Sequence, residues 1–132
     1  MTDAPHRCPL RILLVDDGPD LYLASAEVLR DAGHAVHTAH DGEQALQLMT
    51  TLPVDVVLTD LRLPKIDGLA LFRQVRQRWP STVVILATAF ADVHDAIAAV
   101  REGAHDYLRK PLASEDVARR VQRISAQTDD EW

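Results

Sequence analysis

One cysteine, no basic stripe and no long apolar run narrow what this chain can be before any motif is read. Cys8 is the only thiol and precedes the first apolar run. An intrachain disulfide is therefore excluded, and the usage fits a reducing cytosol. A membrane helix needs about 20 successive apolar residues, and no stretch here approaches that. Met1 to Pro9 lacks the apolar core and cleavage pattern of a signal peptide, so a cytoplasmic protein is expected. Asp and Glu number 20 against 14 Lys and Arg, a net charge of -6. With no basic surface to displace counterions from phosphates, direct nucleic-acid binding is not expected. What is present is ordinary for one globular domain: 132 residues, 47% apolar and 26% charged. That length can bury a core without metal or disulfide staples.

Strand-like and helix-like periods alternate along the chain. Ile12-Leu13-Leu14-Val15 is a continuous apolar run, as a strand buried on both faces requires. Leu21, Ala24, Val28 and Leu29 repeat at helical spacing, and Gly33 closes that helix. His34 to His40 alternates and suits an edge strand. Asp41 can cap a second helix with the stripe Ala45, Leu48, Met49 and Leu52. Val54 to Leu58 reads as a third strand, and Pro64 to Gly68 as a turn-rich loop. Leu69, Phe72, Val75 and Trp79 mark a third helix ended by Pro80. Val83 to Ala87 is the most apolar strand. Val93, Ala96, Ile97 and Val100 line a fourth helix ended by Gly103. Ala104 to Arg109 makes a short fifth strand, and Ser114 opens a last helix carrying Val117, Val121 and Ile124. Five βα units and no linker predict a doubly wound α/β domain with a parallel sheet over residues 11–126. A leader (1–10) and a polar tail (127–132) flank it.

Polar residues stand where the predicted strands run out: Asp16 and Asp17, Asp60, Thr88, and Lys110 before Pro111. In an open parallel sheet these ends share one edge, where such sheets place their sites. Three carboxylates, a hydroxyl and an ammonium there suit a divalent cation and a phosphoryl group. Each residue alone has an ordinary reading. A single Asp is a loop residue, Thr88 a strand former, Lys110 a solvated lysine and Asp67-Gly68 a turn. The six histidines are scattered, with no cysteine or carboxylate at zinc-ligand spacing. The conjunction at four strand ends carries the functional reading.

From about Arg11 to Ala126 the chain resembles the receiver domain of two-component response regulators. The resemblance rests on Leu14-Val15-Asp16-Asp17, on Leu58-Thr59-Asp60-Leu61-Arg62-Leu63-Pro64 with Asp67-Gly68, on Ala87-Thr88-Ala89, and on Asp106-Tyr107-Leu108-Arg109-Lys110-Pro111. Asp67 to Arg73 and Arg101 to Tyr107 are similar to receivers of sigma-54-dependent activators, such as the dicarboxylate-transport regulators. Gly18 directly after the acidic pair, and Lys65-Ile66 before Asp67, depart from the family pattern without touching an expected ligand side chain.

The resemblance implies a flavodoxin-like sheet of order 2-1-3-4-5. It implies Asp60 as phosphoacceptor from a sensor histidine kinase. Mg²⁺ would be held by Asp17, Asp60 and the Arg62 backbone carbonyl, with Asp16 binding directly or through water. Lys110 would offset phosphoryl charge, Thr88 would bond a phosphoryl oxygen, and Tyr107 would move with it. Lys110-Pro111 is a candidate cis bond. Output would pass through the face of helix four, strand five and helix five. There Asp92, Arg101, Glu102, Asp106, Arg109 and Arg119 or Arg120 supply both signs of charge, for a partner or for a homodimer formed on phosphorylation.

Such a domain is a switch, not an enzyme on small molecules, limited to its own phosphotransfer and dephosphorylation. Arg62 and Phe90 would flank the path of a hydrolytic water. Two carboxylates about 4 Å apart repel by roughly 4 kcal/mol at an effective dielectric near 20, so removing the Asp17 charge is expected to stabilise the metal-free site. Two other readings stay open. One is an unphosphorylated dimerisation or binding module; the other is a flavodoxin-like enzyme. The second needs a Gly, Ser or Thr-rich phosphate cradle after strand one, where Asp16-Asp17-Gly18-Pro19-Asp20 stands instead. No ATPase or DNA-binding segment follows Ala126, which fits a stand-alone receiver or the regulatory piece of a longer transcriptional regulator.

Overall fold

Ile12, Leu13, Leu14 and Val15 are each at most 1% exposed, so the first apolar run is covered on both faces. The computed structural model describes residues 9–18 and 20–130, and within them the side chains of all but 20–24, 90 and 127–130. Cys8, most of the leader and the last two residues lie outside the described residues, as do the side chains of Leu21, Ala24 and Phe90.

Five strands, β1 (Arg11–Val15), β2 (Ala35–Ala39), β3 (Val56–Asp60), β4 (Val83–Thr88) and β5 (Asp106–Arg109), form one sheet. Its order is β2-β1-β3-β4-β5 and every neighbouring pair is parallel. Between and after the strands run α1 (Asp20–Asp31), α2 (Gly42–Thr51), α3 (Gly68–Arg78), α4 (Val93–Glu102) and α5 (Ser114–Asp130). Because side chains alternate along a strand, each strand feeds two cores. Ile12, Leu14, Val56, Leu58 and Ile85 meet α1 and α5 through Ala26, Leu29, Val117, Val121 and Ile124. Leu13, Val15, Val57 and Leu86 meet α2, α3 and α4 through Met49, Leu71, Phe72, Val75 and Ala99.

Several boundaries differ from the sequence reading. The third strand is not Val54–Leu58 but Val56–Asp60. The apolar Val54 lies before the ladder, where its carbonyl accepts the Thr82 hydroxyl at 2.8 Å. Asp55 binds Arg11 through the backbone N–H, Nε and Nη2 at 2.8–3.0 Å, fixing the edge opposite the site. The fifth strand begins at Asp106 rather than Ala104, because the residues after α4 close its end. Gly103 at φ +125 lets the Ala104 N–H reach the Ala99 carbonyl at 2.9 Å. Asp67-Gly68 is not a free turn. Asp67 caps α3, accepting the Ala70 N–H at 2.8 Å, and Gly68 is the first helical residue. Helix α5 continues to Asp130, past the tail boundary read from the sequence.

His34, placed by the sequence on an edge strand, precedes β2 and is buried. Its Nδ1 accepts the Leu10 N–H at 2.9 Å, which ties the segment before β1 to the end of α1.

Candidate functional site

The register of the parallel ladders sets where the polar strand ends meet. Val15 pairs with Thr59, Asp60 with Ala87 and Thr88 with Arg109, so Asp16, Asp60, Thr88 and Lys110 fall along one edge. Asp60 is the last residue of β3 and Thr88 the last of β4, while Asp16 and Lys110 directly follow β1 and β5. Crossover helices start just beyond, leaving this edge open between loops.

Asp60 is held from three directions. Lys110 Nζ donates to Oδ2 at 2.5 Å, and the Arg62 N–H donates to Oδ1 at 3.1 Å. Its backbone is fixed by the start of α3. A Cβ on Gly68 would stand 2.2 Å from the Asp60 carbonyl oxygen and 2.7 Å from Leu61 Cα. Only glycine lets the helix approach the end of β3 so closely. Asp67-Gly68 reads from the sequence as a turn, but Gly68 is needed for the space beside Asp60. The available signal was an Asp capping residue immediately before an apolar helical repeat.

The carboxylates of Asp16, Asp17 and Asp60 each offer an oxygen lying within 4.8 Å of the others. Asp16 and Asp60 are buried and Asp17 is exposed. Burial, followed by a hydrogen bond shared with Asp60, pushes the Asp16 carboxyl up to about 6. Nearby Asp60 and Asp17 charges add to this, and Lys110 opposes it. An all-oxygen acid cluster on an open edge, short of compensating positive charge, fits a hard cation that keeps part of its water.

Thr88 is fully buried and its hydroxyl donates to the Ala89 carbonyl at 3.1 Å. The Thr88 carbonyl accepts the Lys110 N–H at 2.9 Å, joining the two strand ends. Tyr107 is half-buried on β5 and packs against the α2–α4 core. The Lys110-Pro111 bond is cis.

The structure separates the backbone and side chain of Arg62. Its N–H meets Asp60, whereas its guanidinium bonds Asp92 and Asp95 on the α4 side at 2.6 and 3.2 Å.

Beside β5, an open groove of about 550 Å³ is lined by Val93, Asp106, Tyr107, Leu108, Arg109 and Leu112, among others. Several charges assigned to this face are already paired within the chain. Asp106 meets Arg120, Arg119 meets Asp116 and Glu102 meets Arg73. Among the described residues no helix is long and apolar enough to cross a membrane.

Comparisons with known proteins agree with this geometry. The model of the response regulator receiver domain matches residues 12–122. The DNA-binding transcriptional regulator NtrC of Klebsiella pneumoniae is 38% identical over 110 residues, which are 83% of this chain and 24% of that protein. Transcriptional regulatory protein GlrR of Escherichia coli is 32% identical over 128 residues, 94% of this chain and 29% of that protein. The chain thus spans about a quarter of the length of these curated relatives. Among solved structures, a response regulator receiver domain protein from Clostridium thermocellum superposes with a TM-score of 0.84 at 30% identity, covering 93% of this chain and 99% of that one. The receiver domain of NtrX from Brucella abortus gives 0.82 at 30% identity, over 87% and 98%. The matched segment runs from the first strand into the last helix and contains the whole acidic edge, so the chain belongs to the response regulator receiver domain family.

Proposed function

We propose that this domain is a phosphorylation switch that accepts a phosphoryl group from a sensor histidine kinase onto Asp60. The observation that carries the reading is the setting of that carboxylate: one oxygen on Lys110 at 2.5 Å, the other on the Arg62 N–H, with two further acids alongside. A carboxylate so fixed is a positioned nucleophile, and most of the catalytic work in phosphoryl transfer is positioning and charge compensation.

An Asp60 oxygen attacks phosphorus as the bond from phosphorus to the kinase imidazole nitrogen breaks. The bonding pair stays with the imidazole, and Asp60 becomes an acyl phosphate. Lys110 follows the charge from the carboxylate to the phosphoryl oxygens. Mg²⁺ held by Asp16, Asp17, Asp60 and the Arg62 carbonyl would supply positive charge against those oxygens. The Thr88 hydroxyl, now on the Ala89 carbonyl, exchanges that acceptor for a phosphoryl oxygen, and Tyr107 follows on the neighbouring strand. Loss of the phosphoryl group to water resets the switch. The domain spanning residues 11–126 turns over no small-molecule substrate beyond this.

The groove beside β5 is the output face, read by a second copy on phosphorylation or by further segments of a transcriptional regulator. Similarity to NtrC and GlrR supports a regulator of the sigma-54-dependent activator type, acting in the cytoplasm. The acidic loop after β1 argues against a flavin phosphate there. Incubation with acetyl phosphate and Mg²⁺ tests the proposal by intact mass. One added phosphoryl group on the wild type and none on Asp60→Asn is expected; equal labelling of both rules Asp60 out.

A further inference from the structure

The chemistry above uses only the backbone of Arg62, yet its side chain makes the most extensive ionic contact near the site. Nη2 donates to Asp92 Oδ1 at 2.6 Å and to Asp95 Oδ2 at 3.2 Å, residues 30 and 33 positions along the chain. Asp92 ends a 3₁₀ turn, Phe90–Asp92, which leads into α4. Its own N–H donates to the Ala89 carbonyl at 3.0 Å. The Thr88 hydroxyl donates to that same carbonyl at 3.1 Å. Arg62 thus bonds Asp60 through its backbone N–H and Asp92 through its guanidinium, and the Asp92 backbone shares the Ala89 carbonyl with the Thr88 hydroxyl.

A second observation shows what this contact displaces. Asp92 occupies the N-cap position of α4 but makes no side-chain capping bond. Aspartate is among the preferred residues there, because its carboxylate can accept an exposed N–H of the first turn. In α2 and α3 the capping residues Asp41 and Asp67 do so at 2.8 Å. Here the carboxylate is drawn to Arg62 instead. Release of Arg62 would free Asp92 to cap α4. The two arrangements are of similar worth, an exposed ion pair against a cap, which is the condition for a two-state element.

We propose that the Arg62–Asp92–Asp95 contact is a latch that holds the β4–α4 turn, and with it the Thr88 hydroxyl, in the unphosphorylated arrangement. The latch acts as an internal brake on the switch and rests on the reading of Thr88 as the phosphoryl-binding hydroxyl. Arg62 is a positioning residue, acting through Asp92. It follows that breaking the contact from either side raises the population ready to receive phosphate.

The test compares wild type, Arg62→Gln, Asp92→Asn and the double variant. Arg62→Gln keeps both backbone groups, and Asn at 92 keeps the capping capacity while removing the charge. Initial rates of labelling by acetyl phosphate with Mg²⁺ are followed by intact mass, and amide exchange of residues 89–92 is measured without phosphodonor. An exposed ion pair contributes up to about 1 kcal/mol, so each single variant should label up to about fivefold faster than wild type. The double variant should be no faster than the faster single, and the turn amides should lose protection in Arg62→Gln. A wild-type labelling rate in either single variant, or effects that multiply in the double, overturns the latch. If the wild type takes up no phosphoryl group, the reading of Asp60 fails by itself. Exchange then still decides the latch, and unchanged protection in Arg62→Gln overturns it.

Discussion

Replacing Asp16 with asparagine should make the metal-free protein more stable at neutral pH, although it removes a residue of the acidic edge. The Asp16 side chain sits beside Asp60, and burial with that shared hydrogen bond raises its carboxyl from 3.8 to about 6. The folded protein therefore keeps a proton that the unfolded chain gives up near 3.8. Stability from this group is fully present below about pH 4 and is lost as pH rises through about 6, opposite to the usual behaviour of a paired carboxylate. A tenfold change in proton affinity corresponds to about 1.4 kcal/mol, so the cost at about pH 7.5 reaches about 3 kcal/mol. That is an upper figure, since water enters along the open edge. For a domain of this size it corresponds to roughly 10 °C in melting temperature. Melts of wild type and Asp16→Asn, in chelator at about pH 4.5 and about pH 7.5, should diverge about three times more at the higher pH, because roughly a third of the cost is already present at the lower one. Mg²⁺ at a hundredfold excess over its dissociation constant adds about 2.7 kcal/mol and should restore the wild type. Asp17 is exposed, so solvent carries its charge; Asp17→Asn should shift the metal-free melt less and still weaken the Mg²⁺ response. Equal metal-free melting of wild type and Asp16→Asn at the higher pH would refute the assignment of this cost to Asp16.

Three further substitutions test the proposed phosphorylation and its reversal. Gly68→Ala puts a methyl 2.2 Å from the Asp60 carbonyl, where only backbone could yield; denaturant unfolding should show a loss of about 1–3 kcal/mol or more, with slower labelling. Lys110→Met removes the cation bonded to Asp60 and should slow labelling by acetyl phosphate on the order of a hundredfold, read as an initial rate by intact mass. Phe90→Glu, two residues after Thr88, supplies an acceptor able to orient a water; phosphate loss after donor removal should quicken by at least about tenfold.

The positions of the acidic edge were legible because a doubly wound sheet leaves little freedom. Ile12–Val15 and Val83–Ala87 read as strands buried on both faces, and a polar residue ending such a run must lie at the carboxyl edge. The limits of strands three and five were not legible from apolarity alone. Val54 is apolar but sits before the ladder, and Asp60 is acidic but ends it. Gly68 was read for its freedom to turn, whereas its importance is the space it leaves beside Asp60. The contacts of His34 with Leu10 and of Arg62 with Asp92 join residues 24 and 30 apart, and no local period announces them. The sequence alone pointed to Asp17 as the charge whose removal stabilises the metal-free site, whereas burial places the cost on Asp16 and leaves Asp17 exposed.

Where the phosphoryl group lands is the most direct measurement. After labelling with acetyl phosphate and Mg²⁺, peptide mapping should find a single modified residue, Asp60, as an acyl phosphate that hydroxylamine removes. Label on another side chain, or a hydroxylamine-stable product, would contradict the assignment of Asp60 as the acceptor.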